Sequence, residues 1–112
     1  MELVMEMEKL LLQLQKKIKE LKLRGVKYAE AERDYKVALS KESIKMKLEL
    51  DYPVTLIDKA VHGCDAVAQL RFNRDIQKHN YDDTSEEINC LKTRIRIMEM
   101  QIKQEYAITK YQ

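Results

Sequence analysis

Very little in this chain interrupts a helix. Two glycines, Gly25 and Gly63, and a single proline, Pro53, stand among 112 residues, and these two residue types are the main local breakers of regular structure. Tryptophan is absent, aromatics make up 6%, and valine and threonine are sparse, so strands have little to build from. Apolar runs are short: Leu10-Leu11-Leu12 is closed at once by Gln13. A membrane span needs roughly 20 apolar residues in succession, so none is expected. The start, Met1-Glu2-Leu3-Val4-Met5-Glu6, has neither the basic opening nor the sustained apolar stretch of a signal peptide. Two cysteines, Cys64 and Cys90, do not make a secreted disulfide framework, which points to a reducing cytoplasm. Excess charge of either sign is missing too. The 21 basic and 19 acidic residues leave a net +2, too balanced for a DNA mimic or for a whole-chain pull toward nucleic acid or membrane.

What the chain does contain is charge and aliphatic residues in helical order. Charged residues make up 36%, in the Lys, Glu, Leu, Ile, Ala and Gln mixture of long helices and coiled coils. From about residue 2 to 51, apolar residues recur at Leu3, Met7, Leu10, Leu14, Leu21 and Tyr28 and continue through Ala31, Tyr35, Ala38 and Leu39 to Met46 and Leu50. Steps of three and four place them on one helical face. Leu11 and Ile18 widen that face, while Val37, Ile44 and Leu48 form a second line. Gly25 costs about 1 kcal/mol against Ala in a helix interior, yet periodicity resumes at Tyr28, so a continuous or mildly kinked helix is expected there. The break falls at Asp51-Tyr52-Pro53-Val54-Thr55, because proline lacks a backbone donor and drives the preceding residue out of the helical region. Thr55 with Asp58 resembles a capping box, which predicts a short helix from Leu56 to about His62. Gly63 suits the left-handed residue after a helix, and Asp65 suits the cap of the next one. From about residue 66 to 111, the series Tyr81, Thr84, Ile88, Leu91, Ile95, Met98, Ile102 is a heptad seam. Extended backwards it meets Val67 and Leu70, but also Arg74 and Gln77.

The expected fold is therefore all-α. One domain over residues 1–112 consists of two long helices, about 2–51 and 66–111, folded into a coiled-coil-like antiparallel hairpin around a connector at 52–65. The helices would span roughly 75 and 68 Å, and their similar lengths favour the hairpin. A two-helix monomer leaves Leu11, Ile18, Val37, Ile44, Leu48 and Ile97 poorly covered, and pairing two hairpins into a four-helix bundle would bury them. A homodimer is the expected state, with Leu14, Ile18, Leu21, Tyr35, Ile88, Leu91, Ile95, Met98 and Ile102 as its self-association residues. A different protein is the alternative cover.

Catalysis is not expected, and neither is a cofactor or a metal. His62 and Cys64 lie two apart, with His79 and Cys90 elsewhere, and no Cys-x-x-Cys, His-x-x-x-His or Glu-x-x-His pair occurs. The serines lack a nucleophile elbow, and the two glycines form no phosphate loop. Nucleic acid is the competing partner. Lys16, Lys17, Lys19, Lys22, Arg24 and Lys27 place six cations in twelve residues, and Arg94 and Arg96, with Lys92 and Lys103, form a second group. Such a patch can neutralise phosphates. Leu21, Ile18 and Leu23 interleave with these cations, however, as on any solvated face of a long helix or a basic membrane-surface helix. The connector residues Tyr52, Pro53, Val54, Leu56 and Ile57 read either as a plug for the end of the bundle or as a docking tip.

Several runs stand in a familiar order: Ala29-Glu30-Ala31-Glu32-Arg33-Asp34-Tyr35-Lys36-Val37-Ala38-Leu39, Tyr52-Pro53-Val54-Thr55-Leu56-Ile57, Leu70-Arg71-Phe72-Asn73-Arg74-Asp75, Ile88-Asn89-Cys90-Leu91-Lys92 and Ile95-Arg96-Ile97-Met98-Glu99-Met100-Gln101-Ile102. Together they resemble a family of small, mostly uncharacterised helical proteins encoded by phages and prophages of Gram-positive bacteria. The resemblance covers about residues 25–106; the helix before Gly25 is not distinctive. It implies a phage origin, the cytoplasm of a bacterial host, and a part in phage DNA metabolism (replication or recombination) or in countering host defence, with a host or phage protein as partner. Virion assembly is a further alternative. Gly63-Cys64-Asp65 departs from the acidic pair usual in that family after the connector glycine, whereas Arg71, Arg74 and Asp75 fit its Leu-Arg-x-x-Arg-Asp run. Arg74 on the seam is expected to pair with an acid such as Glu32 or Asp34, a pair that would fix helix register as readily as bind a ligand.

Overall fold

The computed structural model describes residues 2–111; Met1 and Gln112, the ends of the expected domain, lie outside the described residues. The described residues form three helices: α1 (Glu2–Leu48), α2 (Val54–His62) and α3 (Asp65–Tyr111). No strand occurs among the described residues. The fold is an all-α antiparallel helical hairpin, as the two amphipathic patterns require.

Two compact units can be distinguished, one from Arg24 to Tyr81 and one from the flanking segments up to Leu23 and from Asp82 onward. In the first, α2 closes a small core with both long helices. Tyr35, Met46, Val61 and Val67 are its buried centre, with Ala38, Leu39, Ile57, Ala60, Cys64 and Leu70 packed around them. Val61 and Val67 are only 2% exposed, and burying side chains of this kind is worth roughly 1.5–3 kcal/mol each. Tyr28 meets Tyr81 with ring centroids 6.4 Å apart and Tyr35 meets Arg74, so ascending positions on α1 meet descending positions on α3. The flanking unit has the same antiparallel order. Lys17 pairs with Glu87, Leu10 shares a groove with Met98, and Leu3 shares one with Ile102. Leu10 is buried here on the apolar face of α1, and Ile88 and Leu91 where the heptad seam places them.

Helix α1 is continuous through Gly25. A Cβ at that position would meet Tyr81 Cε2 at 3.4 Å, so glycine lets the tyrosine ring lie close against the α1 backbone. The helix ends differ from expectation in four ways. Helix α1 stops at Leu48, and Asp51 takes the left-handed conformation (φ 54°). Around it, the amide of Leu50 donates to the Lys45 carbonyl (3.3 Å) and that of Tyr52 to the Met46 carbonyl (3.0 Å), satisfying C-terminal carbonyls that would otherwise lack partners. Helix α2 starts at Val54, two residues early, because Pro53 already has the extended geometry of a cap (φ −59°, ψ 138°) and its carbonyl accepts from Leu56 (2.9 Å). Thr55 therefore lies in the first turn and does not cap. Gly63 is right-handed (φ −86°, ψ −6°): the chain turns there without needing a glycine-only conformation. Finally, the Cys64 carbonyl accepts the first α3 bond, from Ala68 at 2.8 Å. Cys64 is thus the cap, and Asp65 a first-turn acid that suits the positive end of the helix dipole.

Candidate interaction surfaces

The nine residues expected to drive self-association are mostly used inside the chain. Tyr35, Ile88 and Leu91 are buried, and Leu14, Leu21, Ile95, Met98 and Ile102 are half-buried. Ile18 is the one that remains exposed. The heptad seam is therefore the contact between α1 and α3 within one chain, which is its first and nearest use.

Other large apolar side chains stay outside. In the unit from Arg24 to Tyr81, Val37, Ile44 and Leu48 of α1 are exposed, as are Phe72 and Ile76 of α3. Steps of seven and four put the first three on one face of α1, and a step of four does the same for the other two. In the flanking unit Met5, Leu12, Ile97, Met100 and Ile108 are exposed. The second line along α1 was visible in the sequence; Phe72 and Ile76 were missed, although their spacing was there to be read.

The cations split between the units. Lys16, Lys17, Lys19, Lys22, Arg94 and Arg96 belong to the flanking unit, and Arg24 and Lys27 to the other. An open groove of about 670 Å³ in the flanking unit brings Lys16, Lys17 and Arg94 beside Asp83, Glu86, Glu87 and the exposed Cys90. Lys17 contacts Glu87 and lies 3.1 Å from Glu20, and these hydrogen bonds, Glu87 first, hold its ammonium above the ordinary lysine range. The acids of α3 thus answer part of the basic run of α1. The sequence reading set that run against Glu20 alone and missed the partners across the hairpin.

Arg74 is corrected as well. Its guanidinium donates to Asp75 (Nη2–Oδ1 2.9 Å) and covers the Tyr35 ring at 4.6 Å. The hydrogen bond to Asp75 is the main cause that holds its pKa above the usual arginine value. Asp34 instead pairs with Arg33 (3.1 Å) and Glu32 with Lys36 (3.5 Å). On the other side of Tyr35, its hydroxyl lies 3.1 Å from His62 Nε2, and His62 Nδ1 lies 2.6 Å from the Asp58 carbonyl. A carbonyl only accepts, so Nδ1 carries the proton, and in the neutral ring Nε2 accepts from Tyr35. This network ties α2 to α1 and gives His62 a structural task.

The connector divides by direction. Ile57 turns inward with Ala60 and Val61, which supplies the plug. Tyr52, Pro53, Val54 and Leu56 stay exposed. No group of three or more His, Cys, Asp or Glu residues is placed to hold a metal among the described residues. No helix among them is long and apolar enough to cross a membrane. No protein-family model, curated protein or solved structure matches this chain.

Proposed function

We propose that the chain is a non-enzymatic protein–protein interaction module that works as a homo-oligomer, most simply a dimer of hairpins. The observation that carries this reading is the set of large apolar side chains left outside after α1 and α3 have used their seam, such as Val37, Ile44, Leu48, Phe72 and Ile97. Apolar surface in water costs roughly 25 cal/mol per Å², and covering it by a second hairpin follows the packing logic of helix bundles. The resemblance of residues 25–106 to phage-encoded helical proteins supports a setting in the cytoplasm of a phage-infected bacterium, in phage DNA metabolism or counter-defence, with a host or phage protein as a further partner.

A nucleic-acid-binding role for Lys16, Lys17, Lys19, Lys22 and Arg94 is the competing reading, and Asp83, Glu86 and Glu87 in the same groove count against it. Light scattering across micromolar concentrations separates the two. Self-association predicts a mass above that of one chain without added nucleic acid. A phosphate-binding role predicts retention on DNA or RNA that falls steeply with salt. A monomer throughout would overturn the proposal.

A further inference from the structure

Two helix faces in the unit from Arg24 to Tyr81 point away from its core. At about 100° per residue, Val37, Ile44 and Leu48 of α1 fall within about 40° of one another and roughly 170° from Tyr35 and Met46, which belong to that core. Phe72 and Ile76 of α3 fall within about 40° of each other and roughly 170° from Val67 and Leu70, which pack in the same core. All five outward side chains are 40–75% exposed. Because one core lies between the two helices, the first face looks away from α3 and the second away from α1, so one neighbour cannot cover both. The faces also differ in charge. From Val37 to Leu48 the exposed charged residues are all lysines, Lys41, Lys45 and Lys47, whereas Glu42 is half-buried. Beside Phe72 and Ile76 the exposed charges within about a quarter turn are Asp65 and Asp75, the latter also accepting from Arg74. Arg71 and Lys78 fall roughly 130° away.

We infer that the outer face of α1 docks on the outer face of α3 of a second copy of the chain, which deepens the self-association reading and rests on it. Charge selects this occupant. The chain carries both halves of the match, a lysine-flanked apolar face and an aspartate-flanked one, and opposite potentials favour the encounter. Two α1 faces would set lysine against lysine. A nucleic acid or an anionic membrane would suit the lysines but leave Phe72 and Ile76, on the far side, in water. Area agrees. In the flanking unit Leu12 and Leu23 of α1 and Ile97 and Ile108 of α3 are exposed as well, on the sides of their helices away from Leu10 and Ile88. At roughly 100 Å² each, the nine side chains bring about 900 Å² of apolar surface. With the lysine stems beside them, that reaches the roughly 1,000 Å² at which specific interfaces begin. Such a contact joins two different surfaces, so it does not close on itself: a pair of hairpins forms first and keeps one face of each kind for further copies.

Mixing two variants of the full chain tests this. Val37→Gln with Ile44→Gln strips the α1 face, and Phe72→Gln with Ile76→Gln strips the α3 face. All four positions are exposed and glutamine is a good helix former, so circular dichroism should match the wild type. Each variant alone lacks one half of every contact, and its dissociation constant should rise tenfold or more, as for loss of interface hot spots. At a concentration where the wild type averages two chains, light scattering should therefore return close to one-chain mass for either variant. An equimolar mixture should return to two chains and stop there, because one variant's intact α3 meets the other's intact α1. A wild type that stays monomeric at every concentration overturns both the inference and the self-association reading. A mixture that stays at one-chain mass, or an α3 variant that keeps the wild-type mass, overturns the inference alone.

Discussion

Replacing Gly25 with alanine isolates one local balance of the fold. In a helix interior alanine is favoured over glycine by about 1 kcal/mol, because it loses less backbone freedom. The opposing quantity is the room beside Tyr81. An added Cβ would sit 3.4 Å from its Cε2 and 3.7 Å from its Cδ2. Those distances are contact without overlap, worth about 0.1–0.2 kcal/mol per atom pair, and the Tyr81 ring is half-buried and packed at a tilt on Tyr28. Gly25→Ala should therefore stabilise the chain by about 1 kcal/mol, or roughly 4–8 °C in Tm. Gly25→Val should give back most of that gain, since its branched Cβ has poorer helix propensity and its extra carbons point at the ring. Urea melts followed by circular dichroism, at one fixed protein concentration because association shifts apparent stability, measure both. A Gly25→Ala protein less stable than wild type by 1 kcal/mol or more would refute the reasoning. Tyr81 would then lie tighter on α1 than 3.4 Å allows, or the helix would not be continuous there.

Other expected outcomes follow from single contacts. Val61→Ala empties part of the core between α1, α2 and α3 and should cost on the order of 2 kcal/mol in a urea melt; a loss under 0.5 kcal/mol would mean that α2 is not docked. Asp51→Gly relieves a left-handed backbone and should stabilise by about 0.5–1 kcal/mol, whereas Asp51→Val should destabilise, since a branched residue tolerates that conformation poorly. Leu91→Asp with Ile95→Asp should unfold the chain or strip much of its helicity, as buried charge does; unchanged ellipticity would contradict the seam. Because Lys17 is held charged above its ordinary range, its small exposed contribution is complete at neutral pH and is lost only as pH climbs through the alkaline lysine range. Melting curves at neutral and mildly alkaline pH should coincide on its account, and Lys17→Glu with Glu87→Lys should melt closer to wild type than either single change.

The parts of this fold that depend on period were legible in the sequence. Ile88 and Leu91 are buried, and Ile95, Met98 and Ile102 half-buried, because alternating steps of three and four define one side of a helix whatever packs against it. Helix ends were harder, since several residues can satisfy the same few backbone groups. Glycine at 63 suggested a left-handed turn, but the left-handed backbone falls at Asp51, and Pro53 takes the place of Thr55 as the cap of α2. Contacts across the hairpin could not be read locally. Whether Arg74 meets Glu32, Asp34 or the Tyr35 ring, and whether Lys17 faces Glu87, depends on a register that only the packed helices fix. The interaction surface was blurred for the same reason. The seam that looked available for a second chain is taken up by the first, and the outward candidates are the less regular residues such as Val37, Ile44 and Phe72.

Sedimentation equilibrium of the unmodified chain over a wide micromolar range tests the central claim most directly. Apolar residues left over by the intramolecular seam should draw two hairpins together, so the fitted mass should approach twice the 13.3 kDa of one chain. A single species of one-chain mass at every concentration would contradict it.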